Sequence, residues 1–148
     1  VWAVNPNKDS VHDLTRRMRR FASEIFSARN IVFKFHAPGE EQDAKLGADI
    51  RREVFLIFKE SVNNVVKHSH CTEATARFAI EDGRLVLQVH DNGQGFEPTA
   101  GVPVGAGNGL PSMQQRASDL GGEFKIMTAE GQGTTVWLSV PLAGLSEN

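Results

Sequence analysis

The sequence predicts an α/β (α+β) two-layer sandwich, in which three helices cover one face of a mixed five-stranded sheet. Segments with apolar residues at helical spacing alternate with short strand-like segments, in the order helix, strand, helix, hairpin, loop, helix, hairpin. A chain of 148 residues, 40% of them hydrophobic, is also long enough to bury one core. We expect one domain over residues 10–141, with a connecting segment at 1–9 before it and a tail at 142–148 after it.

Three segments carry apolar residues at helical spacing and predict the helices. They cover residues 10–28, 45–68 and 110–120. Either Asp9 or Ser10 can cap the start of the first helix, because both side chains offer an oxygen to the free backbone amides there.

Five short segments have the alternation or the β-branched content of strands: residues 31–36, 74–80, 85–89, 124–127 and 134–140. The dipeptide Asp82-Gly83 predicts a tight hairpin turn between the second and third strands. Residues 131–133 turn between the last two strands. The glycine-rich stretch 91–109 has no usable period and predicts a loop.

The overall composition excludes several classes of protein. The formal net charge of −2 gives no general attraction to nucleic acid or to an anionic membrane surface. The single cysteine, Cys71, excludes an intramolecular disulfide and a cysteine-rich metal site. No apolar run reaches the ~20 residues of a membrane span, and no signal-peptide pattern opens the chain. We therefore expect a cytoplasmic domain; a membrane anchor of a longer parent protein would lie outside this sequence.

The second predicted helix carries four polar residues at spacings that place them on one face: Glu60, Asn64, Lys67 and His68. A carboxylate, an amide oxygen and a cation grouped in this way suit a metal–nucleotide complex, because Mg²⁺ takes oxygen ligands and a cation neutralises phosphate charge. A solvated helix face with a Glu60–Asn64 contact explains the same spacing, and the spacing alone favours that simpler explanation.

Residues 91–96, with the sequence DNGQGF, directly follow a predicted strand. The carboxylate of Asp91 only accepts hydrogen bonds, so it can hold an exocyclic amine such as that of adenine. Gly93 and Gly95 would let such a ligand approach the backbone closely. A plain turn with the sequence DNG is the alternative interpretation.

Two further glycine motifs lie near the ends of predicted elements. Gly105, Gly107 and Gly109 precede the third helix, and glycine-rich backbone at a helix N-terminus can bind an anion. Their spacing fits neither a dinucleotide-binding fingerprint nor a P-loop. Residues 131–134, with the sequence GQGT, join the last two strands. Taken singly, the first motif is compatible with a flexible loop and the second with an ordinary hairpin turn.

The order of the four motifs resembles the N, G1, G2 and G3 boxes of one ATPase superfamily. That superfamily is shared by gyrase, the heat-shock chaperone, mismatch-repair proteins and histidine kinases, and its fold is named after Bergerat. The similarity spans about residues 10–141. Residues 55–69 and 109–126, which include Met113 and Arg116, resemble in particular the catalytic domain of sensor histidine kinases of the nitrate-sensor class. Residues 1–9 resemble the hinge that follows the dimerisation helices in such kinases.

This resemblance implies ATP and Mg²⁺ as ligands. Asp91 matches the carboxylate that reads the adenine amine, with Gly93 and Gly95 beside the base. Asn64 matches the Mg²⁺ ligand. Glu60 matches the general base of the superfamily, which in a kinase could instead orient a water or the incoming imidazole.

The remaining matched residues would face the phosphates. Lys67 and His68 would contact them directly, and Thr134 would lie near the same side. Three glycines and the residue that opens the third helix would close over the phosphates: Gly105, Gly107, Gly109 and Leu110. The loop between residues 97 and 108 corresponds to a mobile ATP lid.

The resemblance also implies partners. The γ-phosphoryl acceptor would be a histidine on a separate dimerisation domain of a homodimeric parent kinase, which in turn serves a response regulator. His12-Asp13 superficially copies a histidine–acid acceptor pair, but too little helix surrounds it, so we expect this chain to bind ATP and not to phosphorylate itself. Contact with nucleic acid or membrane is not expected.

Two other functions stay open with the same pocket. One is a serine kinase or switch module similar to an anti-sigma factor, against which residues 113–116 argue. The other is a degenerate nucleotide sensor, against which the four intact motifs argue.

The first predicted helix carries a basic run made of Arg16, Arg17, Arg19 and Arg20. The i, i+4 pairs Asp13–Arg17 and Arg20–Glu24 favour a solvated face. Docking to the dimerisation helices and binding to nucleic acid are the alternatives.

Overall fold

A computed structural model describes residues 10–38, 45–94 and 110–142 of the chain. The three α-helices are α1 (Val11–Ala28), α2 (Ala48–Asn64) and α3 (Leu110–Asp119), and a π-helical turn (Val65–Ser69) continues α2. The five strands are β1 (Val32–His36), β2 (Glu73–Glu81), β3 (Arg84–Asp91), β4 (Glu123–Thr128) and β5 (Thr134–Pro141).

The sheet has the strand order β1-β2-β3-β5-β4. Strand β1 runs parallel to β2, whereas the other neighbours are antiparallel. Alternate residues of β3, namely Leu85, Leu87 and Val89, are buried and therefore lie on the face that the helices cover. The predicted mixed five-stranded sheet with three helices is confirmed.

One hydrophobic core lies between the sheet and the helices. Each helix contributes fully buried side chains: Met18 from α1, Phe58 from α2 and Met113 from α3 pack with Phe78 of β2. The core thus fixes all three helices against the sheet, and burial of such side chains contributes about 1.5–3 kcal/mol each.

Two local sequence signals work as predicted. The Ser10 hydroxyl accepts a hydrogen bond from the Asp13 amide (3.1 Å) and caps α1. Asp82 and Gly83 both have positive φ, 54° and 73°, as a tight hairpin turn between β2 and β3 requires.

The folded part extends at least one residue beyond the predicted boundary at residue 141. Leu142 is buried, and its amide donates a hydrogen bond to the Gly83 carbonyl (2.9 Å). The predicted hinge at 1–9 and the rest of the tail, residues 143–148, lie outside the described residues.

The prediction of one helix over residues 45–68 is wrong at its start, whereas at its end helical backbone continues to Ser69. Lys45 forms an isolated β-bridge with Ser10, so α2 starts only after Gly47. At the other end the α-helix stops at Asn64, and the π turn follows. A π turn has a wider hydrogen-bond spacing than an α-helix, so positions beyond Asn64 lose the expected α-helical phase.

The basic run of α1 is paired only in part. Asp13 binds Arg16 (3.4 Å) and Arg17 (3.5 Å), which confirms one predicted pair. The other i, i+4 pair, Arg20 with Glu24, is not among the ion pairs of the described residues. Within the described ranges no helix has the length and apolar character needed to cross a membrane.

Candidate functional site

The topology brings the ends of α2 and β3 to the same edge of the sheet. Asp91 is the last residue of β3, on the helix-covered face, and pairs with Ala74 of β2 and Thr134 of β5. Three residues, 70–72, link the π turn to the start of β2. Because three residues span at most roughly 10 Å, the C-terminal end of α2 and Asp91 share this edge.

Helix α3 points toward the same edge with its N-terminus. Its C-terminal end passes through Gly121 and Gly122 into β4, whose first residue, Glu123, pairs with Ser139 far from Thr134. A connection this short reverses the chain direction, so the N-terminus of α3 faces the edge that carries Asp91.

Asp91 is a buried carboxylate, only 3% exposed. Its Oδ1 accepts a hydrogen bond from the Gly93 amide (2.8 Å). Burial raises the pKa of Asp91 above its usual range, against the opposing effects of the hydrogen bond from Gly93, the nearby His90 and the Thr134 amide. Burying a carboxylate costs free energy, and buried ionisable groups with shifted pKa values cluster at functional sites. Asp91 is therefore a candidate site residue.

The turn between β4 and β5 holds the Asp91 segment in place. Gly133 is buried with φ +82°, and a Cβ there would collide with the carbonyl oxygen of Asp91 and lie 3.3 Å from the Asn92 Cα. The Gly131 amide also donates a hydrogen bond to the Gln94 carbonyl. Two motifs that lie 40 residues apart in the sequence thus form one packed unit, and only glycine fits at position 133.

Asn92 is a structural residue of this edge that the sequence interpretation missed. Its Oδ1 accepts hydrogen bonds from the amides of Thr72 and Glu73, both at 3.0 Å. Its Nδ2 donates to Thr72 Oγ1 (3.0 Å), and its own amide donates to the Glu73 carbonyl (3.1 Å). The only sequence signal for this role was the presence of an Asn next to Asp91, because Asn side chains often bond to backbone groups. Its partner Thr72 lies 20 residues away, and nothing in the sequence identified it.

Glu60 and Asn64 lie one α-helical turn apart on α2, and both are half-buried. Lys67 lies in the π turn and is exposed. That Lys67 shares a face with Glu60 and Asn64 stays a prediction; the backbone at Lys67 is a π turn rather than an α-helix. The side chain of His68 lies outside the described part of the structure.

Helices α2 and α3 contact each other through one buried pair of side chains and one partly exposed ion pair. The Ser61 hydroxyl donates to the Ile57 carbonyl (2.9 Å) and lies 3.5 Å from the Met113 sulfur. Arg116 Nη1 binds Glu53 Oε1 at 2.6 Å. The sequence marked Met113 and Arg116 only as similar to a kinase class, whereas the structure gives each a partner on α2.

Glu53 is shared between two arginines. Its Oε2 accepts from Arg52 Nε (3.0 Å) while its Oε1 is bound by Arg116. Partial burial favours the neutral acid, but the hydrogen bonds from Arg116 and Arg52 outweigh it and hold the pKa of Glu53 below its usual range. No sequence pattern pointed to Glu53, because its partner on α3 is 63 residues away.

Several predicted site residues lie outside the described ranges, namely Gly95, Gly105, Gly107 and Gly109. Leu110 is described only as the first residue of α3. The described residues suit a magnesium nucleotide. Asp91 is a buried acceptor for an amine beside the backbone of Gly93, and Asn64 and Glu60 supply an amide and a carboxylate oxygen on α2. Oxygen donors of this kind are those that Mg²⁺ takes in proteins.

A sequence profile of the family described as "Histidine kinase-, DNA gyrase B-, and HSP90-like ATPase" matches residues 49–144, more than half of the chain. The chain therefore belongs to this ATPase family, as its motif order predicted.

The similar proteins are sensor kinases. The sensor histidine kinase LiaS of Bacillus subtilis is 34% identical over 68% of this chain and 28% of its own length. The sensor protein VraS of Staphylococcus aureus is 32% identical over 70% of this chain and 29% of its own length. This chain thus spans less than a third of the length of these relatives.

The fold is also similar to that of a solved histidine kinase domain, from the blue-light activated kinase of Erythrobacter litoralis. The TM-score is 0.70 at 20% identity, over 88% of this chain and 61% of that one. At this identity the likeness concerns the fold, and it agrees with the predicted Bergerat-type sandwich.

Proposed function

We propose that this chain is the catalytic domain of a sensor histidine kinase, which binds Mg-ATP and donates the γ-phosphoryl group to a histidine on a separate dimerisation domain. The observation that carries the proposal is the buried carboxylate of Asp91, held by Gly93 and Gly133 at the sheet edge where α2 ends. The family membership and the sensor kinase relatives support it.

The adenine would bind at the strand end. The Asp91 carboxylate accepts a hydrogen bond from the exocyclic amine, and the absence of a Cβ at Gly93 leaves room for the base beside the backbone. Guanine carries a carbonyl at that position, so it would face the carboxylate with an acceptor and be rejected.

The phosphates would extend toward α2 and α3. The Asn64 amide oxygen is one Mg²⁺ ligand, and phosphate oxygens and water supply the others. Glu60 orients the attacking imidazole, Lys67 approaches the phosphates from the π turn, and the free amides at the start of α3 face the anion. Phosphoryl transfer asks a protein mainly for positioning and charge stabilisation, which these groups supply.

The partners follow from the same proposal. The acceptor histidine lies on the dimerisation domain of a homodimeric parent, of the nitrate-sensor-like class, and a response regulator receives the phosphoryl group from it. The domain acts in the cytoplasm, where ATP is present, and contacts neither nucleic acid nor membrane.

The test is a calorimetric titration of Mg-ATP into the chain and into Asp91→Asn. Asn keeps an oxygen for the Gly93 amide but replaces one acceptor with an amide donor, so we expect the affinity to fall by about 100-fold, or ~2.7 kcal/mol. Asp82→Asn is the matched control, because it makes the same change at the far end of β3 in a turn that accepts Asn.

Equal affinity of Asp91→Asn and the unmodified chain would contradict the proposed adenine site. Transfer is tested by mixing the chain, γ-labelled ATP and a dimerisation domain that carries the acceptor histidine. Label on that histidine supports the kinase assignment, and label on a serine of an added partner would favour the anti-sigma-like alternative.

A further inference from the structure

The ion pair between Arg116 and Glu53 lies along α2 and α3, away from the helix ends that face the proposed nucleotide site. Arg116 is in the second turn of α3, and Glu53 is in the second turn of α2, about three helical turns before Asn64. Neither residue is therefore placed to touch the nucleotide directly.

Helix α3 is fixed to the sheet at its C-terminal end. Gly121 has φ +70°, and the Gly122 amide donates to the Ala117 carbonyl (2.8 Å). A Cβ at Gly122 would lie 2.5 Å from the Ser139 carbonyl oxygen, so the backbones of this turn and of β5 are in close contact. The close contact makes this end a pivot, and the direction of α3 from the pivot to its N-terminus depends on what the helix contacts along its length.

Along that length the described polar contacts of α3 to α2 are made by Met113 and Arg116. Met113 is fully buried beside Ser61, which is adjacent to Glu60 on α2. Arg116 supplies the ion pair with Glu53 (2.6 Å), whose side chain is only 15% exposed. A charge-assisted hydrogen bond that is partly shielded from water defines a distance more strictly than apolar packing does.

The Glu53 side of the pair is itself immobilised. Arg52 holds the other oxygen of Glu53 at 3.0 Å and also binds Asp49 at 3.2 Å. The acceptor for Arg116 therefore has a fixed orientation on α2, and α3 is held at a fixed distance from the helix that carries Asn64.

We propose that Arg116 is a positioning residue: through Glu53 it sets the distance between the N-terminus of α3 and Asn64, and so sets how tightly the terminal phosphate of the nucleotide is held. This inference rests on the proposed function, since it concerns the phosphate half of the same site. The adenine half depends on Asp91, at the end of β3, and on Gly133, in the turn before β5, and neither moves with α3.

The consequence is a selective effect on the γ-phosphate. Loss of the ion pair lets α3 turn about its pivot and weakens ATP binding, while ADP, which lacks the γ-phosphate, loses less. A purely stabilising ion pair would lower the unfolding temperature and leave the ratio of the two affinities unchanged.

The experiment measures Kd for Mg-ATP and Mg-ADP by calorimetry in the 148-residue chain and in Arg116→Met. We expect the preference for ATP over ADP to fall by about fivefold or more, within the usual range of coupling between sites. Glu53→Gln, which keeps the shape of the side chain, should give a change in the same direction, and Arg116→Lys should restore most of the preference. Arg77→Met is the matched control, because it breaks an exposed Arg77–Glu81 pair (2.9 Å) on the helix-free face.

An unchanged ATP-to-ADP ratio in both Arg116→Met and Glu53→Gln, with ATP still bound, would overturn this inference and leave the proposed function intact. Failure of the unmodified chain to bind either nucleotide would overturn the proposed function and this inference together. If Arg116→Met does not fold, the Glu53→Gln ratio alone decides.

Discussion

The two halves of the proposed site are built in different ways. At the adenine half, Asp91 is held by backbone contacts between strand ends, above all the contact with Gly133. At the phosphate half, Asn64 lies where the α-helix gives way to a π turn, and α3 is positioned by side chains such as Arg116. The adenine half is therefore fixed by backbone contacts of the sheet, whereas the geometry of the phosphate half depends on side-chain contacts between helices.

This difference predicts how each half responds to substitution. Backbone contacts in a packed interior have little freedom to relax, so changes at the adenine half should act strongly and on folding as well as binding. Side-chain contacts between helices can weaken by degrees, so changes at the phosphate half should alter nucleotide preference before they alter folding. π turns are often found at functional sites, which agrees with an adjustable half beside Asn64.

The largest expected effect is that of Gly133→Ala. The positive φ of +82° costs ~1–2 kcal/mol for an L side chain, and the collision with Asp91 adds ~1–3 kcal/mol of overpacking. We expect the free energy of unfolding to fall by about 3 kcal/mol and ATP binding to be lost, as measured by denaturant unfolding and calorimetry.

Gly131→Ala is the matched control for this prediction. Gly131 has a similar φ of +78°, but a Cβ there meets nothing within 4 Å. It should lose only the ~1–2 kcal/mol of backbone strain. Equal losses in the two variants would contradict a specific contact between the turn and Asp91.

A smaller effect is expected for Asn92→Ala. Three side-chain hydrogen bonds to Thr72 and Glu73 are removed, but all are exposed and water replaces them, so the loss of stability should be about 1–2 kcal/mol. Because Asn92 adjoins Asp91, adenosine affinity should fall too. Thr72→Val, which removes a single hydrogen bond, should lower the free energy of unfolding and the adenosine affinity by less than Asn92→Ala does. A larger loss in Thr72→Val would argue against Asn92 as the residue that ties the end of β3 to the start of β2.

The smallest and most specific effect concerns pH, since the two halves carry carboxyls with opposite pKa shifts. Burial raises the pKa of Asp91, so its ionised form lowers stability at neutral pH, and this cost disappears as pH falls through the raised pKa. Glu53 has a lowered pKa, because its hydrogen bonds from arginines outweigh the effect of partial burial. Its ionised form therefore contributes to stability above the ordinary carboxyl pKa, and this contribution is lost as pH falls through the lowered pKa.

Denaturant unfolding from neutral to acidic pH checks these signs. As pH falls, the unmodified chain should gain stability relative to Asp91→Asn and lose stability relative to Glu53→Gln. Parallel pH profiles for all three proteins would contradict the assigned environments of both carboxyls.

The fold was predictable because its signals are local. The apolar spacing in α1, the Ser10 cap and the Asp82-Gly83 turn each depend on residues close in sequence, and the structure contains all of them. The bounds of α2 were not predictable in this way. Lys45 leaves the helix to pair with Ser10, and the π turn occurs where the helix must turn into β2, so both depend on tertiary contacts.

The candidate site was predictable only through its motif order. The motifs named Asp91, Asn64 and Thr134, and the structure places Asp91 and Thr134 as neighbours at one sheet edge. The residues that hold these elements, such as Asn92 and Glu53, were not named, because their partners are 20 and 63 residues away. The spacing of residues in a single sequence does not reveal contacts between positions so far apart. The roles of Glu60 and Lys67 stay predictions.

The most direct measurement is a crystal structure of this chain with Mg²⁺ and a non-hydrolysable ATP analogue. We expect the adenine amino nitrogen at hydrogen-bond distance from the Asp91 carboxylate, about 2.7–3.2 Å, and Mg²⁺ at about 2.1 Å from the Asn64 amide oxygen. An adenine bound away from the end of β3, or a Mg²⁺ ion held without Asn64, would contradict it.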